Sequence, residues 1–474
     1  MVRPFLLVNT NMARPPVSPV GLEYVGEALV EADVPVRVLD LAFEDDWQVA
    51  LKRELAYNEP LVIGLSVRNT DDCCFATRKS FLPWIKELVT EVRRLSGAFI
   101  LLGGIGFSVL PEITLRVTEA DAGIAGDAEE VVSALAGALA GGEDIYHLPN
   151  MVYFRGGNII RNPRVDTDLR HLPVPRRRLF NNKKYEELGA MVGVETKRGC
   201  AHKCIFCADP VAKGSTVRRR PPEMVVKELR DLVDQGVSWI YLCDSEFNLP
   251  IAHARDICRA IIQSGLGDKL RWYCYCSPVP FDRELVQLMK RAGCQGVNFG
   301  VDSLCDEQLY RLGRSHTLTD IRRLVELLPG EGFNYMFDLL VGGPGETEAT
   351  VKSTIERIKE LKVPLAGIAY GIRIYPDTLL ERAIADGSIK GGLYSGTGCA
   401  PHQPVFYLSP LLDNDIAALI NHFVAGDPRF LVLAAPDEEG SYNYADDEML
   451  GELIRQGARG AYWDILQKKR SAAK

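Results

Sequence analysis

Short apolar runs alternate with amphipathic segments along most of the chain, and this alternation limits the folds that the chain can adopt more than any other feature. Within residues 1–145 the predicted strands lie at 5–8, 36–39, 61–65, 99–102 and 122–125. Helical patterns, such as those at 21–31 and 81–95, lie between them. Strands that alternate with helices form parallel sheets with helices on both faces. The sequence therefore predicts an α/β fold that begins with a doubly wound sheet.

The same alternation returns after residue 190, with predicted strands at 193–196, 239–243, 271–276, 296–300, 335–340 and 367–374. Six such units fit a partial (βα)6 barrel over residues 191–390, whose active site lies at the carboxyl ends of the strands. Residues 146–190 are irregular apart from a hairpin turn at Gly156-Gly157, and they are predicted to link the two units. Residues 391–474 lack a repeated βα period and are predicted to form a C-terminal cap.

Length and composition exclude several classes of protein. A chain of 474 residues needs two or three domains. Its net charge of -8 argues against a broad nucleic-acid-binding face, so the run Arg218-Arg219-Arg220 is predicted to have a local role. No apolar run approaches the ~20 residues of a membrane span. The N-terminus also lacks the apolar region of a signal peptide, and together these features predict a cytoplasmic protein.

Three cysteines directly after the first predicted barrel strand form the most specific motif. The segment KRGCAHKCIFCADP places Cys200, Cys204 and Cys207 in a C-x3-C-x2-C spacing. Thiolates are the usual ligands of iron–sulfur clusters, and three of them leave one iron of a [4Fe-4S] cluster open to a substrate. A zinc site is the alternative. Zinc normally takes four ligands, however, and the only nearby fourth candidate, His202, lies inside the same loop.

This motif at the end of a barrel strand resembles the radical S-adenosylmethionine (SAM) superfamily, in which the open iron binds the amino and carboxylate groups of SAM. The resemblance assigns IYLCDSEFNLP, after the second strand, to the SAM amino group, with Glu246 and Ser245 as candidates. The usual GGE pattern of the superfamily is absent here. The fourth-strand segment GVNFGVDSLCDEQLYRLGRSHT places Asp302 and Ser303 near the SAM ribose and carboxylate. Helix capping is the alternative for both residues.

The front unit resembles the cobalamin-binding domains that are joined to radical SAM barrels, and the whole resemblance covers residues 1–410. It is carried by PPVSPVGLEYVGEAL, VIGLSVRNTDD, LLGGIGFSVLPE and AGDAEEV. It implies a Rossmann-like cobalamin-binding sheet whose glycines let the backbone approach the cofactor. The candidate cobalamin residues are Ser66, Arg68, Asn69, Gly103, Gly104, Gly106 and Ser108.

Arg68 is the candidate to approach cobalt, because the first histidine of the chain is His147 and the D-x-H-x-x-G signature is missing. The alternative for Arg68 is an ion pair with Asp71 or Asp72 on the surface.

Together the resemblances imply a cobalamin-dependent radical SAM methyltransferase with a [4Fe-4S] cluster, SAM and cobalamin as cofactors. In the implied mechanism one SAM methylates cob(I)alamin. A second SAM yields a 5′-deoxyadenosyl radical, which removes hydrogen from an unactivated carbon before that carbon takes the methyl group. A small-molecule substrate and an electron donor such as flavodoxin or ferredoxin are the implied partners, and no nucleic acid or membrane span is expected.

The motifs leave three alternatives open. One is a non-methylating cyclisation, ring contraction or oxidation with the same cofactors. Another is a radical SAM enzyme whose front sheet binds no corrin. The third is a corrinoid-binding or sensing protein with a degenerate barrel.

The remaining cysteines are predicted to be structural, with one open case. On the third barrel strand, period two places Cys274 and Cys276 on one side and Tyr273 and Tyr275 on the other, so one pair faces the barrel interior. A Cys276 that faces the interior would be able to donate hydrogen, whereas buried thiols usually act as small packing groups. Tyr375 and His402 are further candidates to reach a substrate. The cysteines predicted to be structural are Cys73, Cys74, Cys243, Cys258, Cys294, Cys305 and Cys399.

Overall fold

Two seven-stranded sheets organise the chain in a computed structural model that describes residues 3–57, 59–395, 402–412, 415–433 and 447–472. The front sheet has the order β2-β1-β3-β4-β5-β6-β7, and its first five strands are parallel. Its strands are β1 (Phe5–Asn9), β2 (Val36–Asp40), β3 (Val62–Ser66), β4 (Phe99–Gly103), β5 (Ala122–Ile124), β6 (Met151–Arg155) and β7 (Asn158–Arg161). Its helices are α1 (Val20–Glu31), α2 (Trp47–Leu55), α3 (Leu82–Leu95), α4 (Ile105–Val109), α5 (Pro111–Thr118) and α6 (Glu129–Gly141). The predicted doubly wound sheet is confirmed.

The β6–β7 hairpin belongs to the front sheet, although its residues fall within the predicted linker. Strand β6 pairs antiparallel with β5, so that Met151 lies opposite Ile124. Gly156 and Gly157 form the predicted tight turn, with φ angles of 58° and 80°. The front sheet thus extends beyond residue 145, because the edge strand on which a hairpin docks is decided by tertiary packing and not by local pattern.

The second sheet is the partial barrel, with the order β19-β15-β14-β13-β12-β11-β8 and parallel pairing throughout. All six predicted strands are present. A seventh strand from the predicted cap, β19, pairs with β15 and places Phe430 opposite Ala366. The strands after the front sheet are β8 (Val192–Val194), β9 (Lys197–Arg198), β10 (Arg218–Arg219), β11 (Trp239–Leu242), β12 (Arg271–Cys276), β13 (Cys294–Asp302), β14 (Tyr335–Val341), β15 (Ala366–Tyr370), β16 (Ile372–Arg373), β17 (Leu393–Ser395), β18 (Val405–Tyr407) and β19 (Phe430–Val432).

Helices cover the outer face of the barrel and build most of the C-terminal region. A small antiparallel sheet, in the order β16-β18-β17, joins the last barrel strands to that region. The helices are α7 (Asn182–Glu187), α8 (Asp209–Lys213), α9 (Pro222–Asp234), α10 (Ile251–Gln263), α11 (Arg283–Arg291), α12 (Asp306–Arg311), α13 (Leu318–Gly330), α14 (Glu348–Glu360), α15 (Leu379–Ala385), α16 (Ile416–Val424), α17 (Glu448–Arg455) and α18 (Tyr462–Ala472). Within the described ranges, no helix has both the length and the apolarity needed to cross a membrane.

The C-terminal segment closes the amino-terminal end of the barrel. Trp463 packs with Tyr273 and Met336 in one buried cluster. Asp464 accepts a hydrogen bond from the Tyr273 hydroxyl at 2.5 Å and another from the side-chain amide of Asn334 at 2.8 Å. The barrel therefore has a floor, and a ligand has to enter from the carboxyl ends of the strands.

The tyrosines of β12 face the barrel interior and the cysteines face away from it. Cys274 and Cys276 lie in the apolar core between the strands and the outer helices, with their sulfur atoms 3.8 Å apart. A hydrogen-donating role for Cys276 in the barrel interior is therefore wrong, and the packing role is confirmed. All eleven cysteines in the described residues are free, and Cys399 lies outside those residues.

Buried charges join the front unit to the barrel. Arg177 is fully buried and donates a hydrogen bond to Glu228 of α9 at 2.8 Å. Arg220 pairs with the other oxygen of Glu228 at 2.6 Å. From the front unit, the Tyr24 hydroxyl lies 3.2 Å from Glu228 and the Glu23 carboxylate lies 3.8 Å from Arg177. The carboxylate of Glu228 is therefore held by groups from both units.

A second set of ion pairs holds the loop that follows β5. Arg198 pairs with Asp127 at 3.2 Å and with Glu129 at 2.5 Å. Arg218 also pairs with Asp127. Since Arg218 and Arg220 both form ion pairs inside the chain, the predicted local role of the basic run is confirmed.

We expect Arg177→Met to lower the free energy of unfolding by about 3–5 kcal/mol, because it leaves the Glu228 and Glu23 carboxylates buried with less compensation. The neighbouring Arg176 side chain is 51% exposed and pairs with Glu27. Arg176→Met is therefore a matched control, with an expected loss of about 0–1 kcal/mol. Urea unfolding followed by tryptophan fluorescence measures both losses. Equal losses in the two variants would contradict the proposed importance of the buried pair.

Candidate active site between the two sheets

The three cysteines lie on a loop whose path is fixed by two glycines. Strands β9 and β10 pair at the base of this loop. Gly199 has φ 90°, and a β-carbon there would lie 2.2 Å from the carbonyl oxygen of Thr216. Gly313 has φ 73°, and a β-carbon there would lie 2.3 Å from the carbonyl oxygen of Lys203. The backbone therefore approaches the loop too closely for any side chain at either position.

The three thiols of this loop are suited to binding a cluster that contains several metal atoms. Cys200 and Cys204 are buried, and Cys207 is half-buried. Burial raises the pKa of Cys200 to about 11, and the charges of Glu246 and Cys204 add to the increase. A bound metal removes this cost because it stabilises the thiolate. Among the described residues, no three histidine, cysteine or acidic side chains converge on a single ion. Cysteines that bind separate irons of a cubane have no need to converge so closely.

Arg314 connects the cysteine loop with two predicted SAM residues. Its Nη1 donates a hydrogen bond to Cys204 Sγ at 3.1 Å. Its Nε lies 3.0 Å from Asp302 Oδ2, and its Nη2 lies 3.9 Å from Glu246 Oε1. The two carboxylates are only 8% and 7% exposed. The guanidinium thus offsets negative charge on three sides.

Glu246 has an unused hydrogen-bond acceptor, which a residue that binds the amino group of SAM needs. Its Oε2 is buried without a hydrogen-bond partner in the structure. Burial raises the pKa of Glu246 to about 8, and Arg314 opposes this increase. Burial likewise raises the pKa of Asp302. Buried polar atoms are nearly always hydrogen-bonded, so the unpartnered oxygen beside the cysteine loop fits the binding of an amino group.

The two predicted SAM serines are placed differently from these carboxylates. Ser245 donates a hydrogen bond to Asp209, which lies just after the cysteine loop. The Ser303 hydroxyl lies 3.1 Å from Thr354 Oγ1 and accepts a hydrogen bond from the Cys305 backbone at 3.1 Å. Asp302, at φ 60°, interrupts the regular strand and turns Ser303 toward the outer helices. Ser303 therefore stabilises the turn before α12 and does not join Glu246 and Asp302.

The sequence pattern does not predict Arg314, although this residue lies inside the segment that contains Asp302. A Gly-Arg pair after a short helix is too common to indicate a site. Arg314 follows α12 in the sequence, and it comes close to Cys204 only in the folded chain. The one available signal is indirect, because two carboxylates predicted beside a thiolate loop require a cation nearby.

A cavity of about 360 Å³ lies between the front sheet and the barrel. It covers the carboxyl ends of β3 and β4, where ligands of doubly wound sheets bind. The predicted residues on its wall are Ser66, Arg68, Gly103, Gly104 and Ser108, and the barrel contributes Glu195, Arg198, Lys213 and Cys243. Two predicted residues lie off the wall. Asn69 accepts a hydrogen bond from Arg68 at 3.4 Å, and Gly106 packs against the Val67 carbonyl.

The glycines of this cavity fit a large cofactor that approaches the backbone. Gly104 has φ 95°, and a β-carbon there would lie 2.7 Å from the Val67 carbonyl oxygen. A β-carbon on Gly103 would meet no atom within 4 Å, because it would project into open space. Ser108 donates to the Gly104 carbonyl at 3.0 Å and accepts from the Gly126 amide at 2.9 Å. Its hydroxyl therefore fixes the two loops to each other.

The Arg68 side chain is exposed to the space between the two units. Asp71 pairs with Arg373 at 2.9 Å, and Asp72 accepts hydrogen bonds from the Cys74 and Lys79 amides. The ion pair of Arg68 with Asp71 or Asp72 is therefore wrong. Its guanidinium interacts electrostatically with Cys243 of the barrel and with Tyr462, the first residue of α18. Arg68 thus lies at the boundary between the front cavity and the barrel.

Tyr375 is engaged by the same front loop, because its hydroxyl lies 3.1 Å from Cys73 Sγ. His402 is half-buried in the cap.

Two family models match the chain, and they cover the two units separately. The B12 binding domain matches residues 7–136, and the radical SAM superfamily matches residues 194–358. The tryptophan 2-C-methyltransferase of Streptomyces laurentii is 30% identical over an alignment that covers 96% of this chain and 94% of that protein. The chain belongs to the cobalamin-dependent radical SAM methyltransferases.

Solved structures of this family agree with the fold over its whole length. TsrM from Kitasatospora setae with cobalamin and a [4Fe-4S] cluster bound has a TM-score of 0.89 and 31% identity, covering 100% of both chains. TsrM with tryptophan and a SAM analogue bound has a TM-score of 0.92. An uncharacterized methyltransferase of Pyrococcus horikoshii is 27% identical over 78% of this chain. The cobalamin-dependent enzyme OxsB shares the fold, with a TM-score of 0.72 at 16% identity.

These matches decide between the alternatives that the sequence left open. The [4Fe-4S] cluster, SAM and cobalamin are confirmed as the cofactors of this methyltransferase. Methyl transfer is favoured over a non-methylating reaction, and a zinc site, a corrin-free front sheet and a degenerate sensor are excluded.

We expect Gly103→Leu to weaken cobalamin binding by about 5- to 150-fold, because overpacking of a filled site costs about 1–3 kcal/mol. The new side chain meets no protein atom in its first 4 Å, so the unfolding midpoint and the iron content should not change. Gly137→Leu is the control, since Gly137 is exposed on α6 and has equally open surroundings. Absorbance titration with hydroxocobalamin measures the affinity. Unchanged affinity in Gly103→Leu would show that cobalamin does not occupy this cavity.

Proposed function

We propose that this methyltransferase acts on an indole amino acid, with tryptophan as the first candidate and ring carbon 2 as the methyl acceptor. The observation that carries the proposal is the full-length match to TsrM with tryptophan bound, at a TM-score of 0.92 and 31% identity. The tryptophan 2-C-methyltransferase of Streptomyces laurentii supports it, because that alignment covers 96% of this chain and 94% of that protein.

Cys200, Cys204 and Cys207 are the proposed ligands of the [4Fe-4S] cluster. Glu246 and Asp302 are the proposed partners of SAM at the open iron, with Ser245 beside them. When bound, the cluster supplies electrons, SAM supplies the methyl group, and cobalamin carries that group to the substrate. The cobalamin residues proposed are Ser66, Arg68, Gly103, Gly104 and Ser108, which line the front cavity.

The residues of the chain position these groups and exclude water. Arg314 holds Cys204 and the two SAM carboxylates in one charge-balanced group. Arg68 places a cation where the front cavity opens toward the barrel, and we propose that it would help to hold cobalamin there in a domain that has no histidine. Trp463 seals the floor, so a substrate in the barrel is shielded from bulk water.

An electron donor such as flavodoxin or ferredoxin belongs to the same proposal. Ala201 and Lys203 of the cysteine loop are exposed, so the cluster lies beneath a surface that a donor is able to reach. A cytoplasmic location is proposed as well, because free thiols persist in a reducing compartment.

An anaerobic assay with SAM, hydroxocobalamin, tryptophan and a reductant tests the proposed function. We expect methylated tryptophan and S-adenosylhomocysteine in equal amounts, with the methyl group on ring carbon 2 by NMR. Alanine at Cys200, Cys204 or Cys207 should abolish both products while cobalamin still binds. Cys305→Ala is the control, because Cys305 lies outside the loop.

Tryptophan that is consumed without methylation would favour the non-methylating alternative. A complete absence of reaction with tryptophan would refute the proposed substrate.

A further inference from the structure

The end of α12 is tied to the cysteine loop by backbone contacts. The Ile205 amide of the loop donates a hydrogen bond to the Leu312 carbonyl at 3.0 Å. Gly313, at φ 73°, takes the left-handed position of a Schellman cap, and the Arg314 amide donates back to the Leu309 carbonyl at 2.9 Å. The backbone of Arg314 is therefore fixed beside the cysteines.

The guanidinium of Arg314 has a prepared place between the cysteine loop and β13. Its Nη1 donates a hydrogen bond to Cys204 Sγ at 3.1 Å, and its Nη2 donates to the Gly300 carbonyl. The side chain is only 8% exposed. Gly300 makes room for it, because a β-carbon there would lie 2.9 Å from Nη2 and 2.8 Å from the Tyr275 ring. The contact with sulfur is thus built into the fold.

Each nitrogen of this guanidinium has a separate partner. Nε lies 3.0 Å from Asp302 Oδ2 and Nη2 donates to the Gly300 carbonyl, so that Nη1 is left for Cys204. The ion pair with Asp302 does not require the contact with sulfur. Lys197, which lies close to the loop in sequence, pairs instead with Asp244 at 2.7 Å. Cys204 therefore receives a charged donor of its own.

We propose that Arg314 is a positioning residue that raises the reduction potential of the [4Fe-4S] cluster through its hydrogen bond to Cys204. The inference rests on the cluster ligands of the proposed function and is independent of the substrate. Reduction moves one electron from the donor to the cluster and breaks no bond, so the cluster and its thiolates become more negative by one charge. A cationic N–H donor to a ligand sulfur stabilises the reduced form more than the oxidised form.

A redox titration of the reconstituted enzyme, without SAM or tryptophan, measures this effect by electron paramagnetic resonance of the reduced cluster. In Arg314→Gln, the ratio of reduced to oxidised cluster at a fixed potential should fall about tenfold, because a hydrogen bond to a charged group has an effect of about this size. For one electron, that change lowers the midpoint potential by about 59 mV.

Three further variants separate the hydrogen bond from charge alone. Lys203→Gln removes a positive charge next to Cys204 in sequence, but this side chain is exposed to water and salt, so the ratio should change less than about threefold. Arg314→Lys keeps the charge without the planar fork and should lower the ratio less than Arg314→Gln. Gly300→Ala keeps the arginine but displaces its guanidinium, and it should also lower the ratio.

An unchanged midpoint potential in Arg314→Gln, with the iron content intact, would overturn the inference. Equal falls in Arg314→Gln and Lys203→Gln would overturn it as well, because charge alone would then explain both. If Arg314→Gln does not retain the cluster, unchanged potentials in both Arg314→Lys and Gly300→Ala would overturn it. A failure to methylate tryptophan refutes the proposed substrate and leaves this inference standing, since the titration contains no substrate.

Discussion

Buried arginine–carboxylate pairs hold the carboxyl ends of the front sheet and the barrel against each other, and every part of the site depends on that contact. Glu228 is bound by Arg177 and Arg220, and Asp127 by Arg198 and Arg218. Desolvated ion pairs contribute little net stability, but they strongly penalise any arrangement that leaves one partner alone. They therefore select one docking geometry, in which the front cavity opens toward the cysteine loop.

That geometry stacks the proposed sites along one axis. The front cavity with Gly103 and Arg68 lies at one end, and the cysteine loop with Arg314 follows it. The barrel interior comes next, and Trp463 closes the floor. A closed floor keeps bulk water away from a carbon that reacts inside the barrel.

Local patterns predict the parts of this protein that depend on nearby residues. The strands follow from apolar runs, and the proposed cluster ligands follow from the spacing of Cys200, Cys204 and Cys207 on one loop. Features that join distant segments are not predicted, because no local signal specifies them. Arg314 reaches Cys204 only through the fold, and β19 joins the barrel from the predicted cap. Ser303 illustrates the same limit, since the irregular backbone at Asp302 reverses the direction of its side chain.

Metal analysis of the anaerobically purified chain tests most directly whether both cofactor sites are present and separate. Cells supplied with hydroxocobalamin should give about one cobalt and about four irons per chain. Replacing Cys200, Cys204 and Cys207 together with alanine should remove the iron and leave the cobalt in place. A wild-type chain with iron but no cobalt, or a triple variant that loses both metals while remaining folded, would contradict two separate sites built by the two sheets.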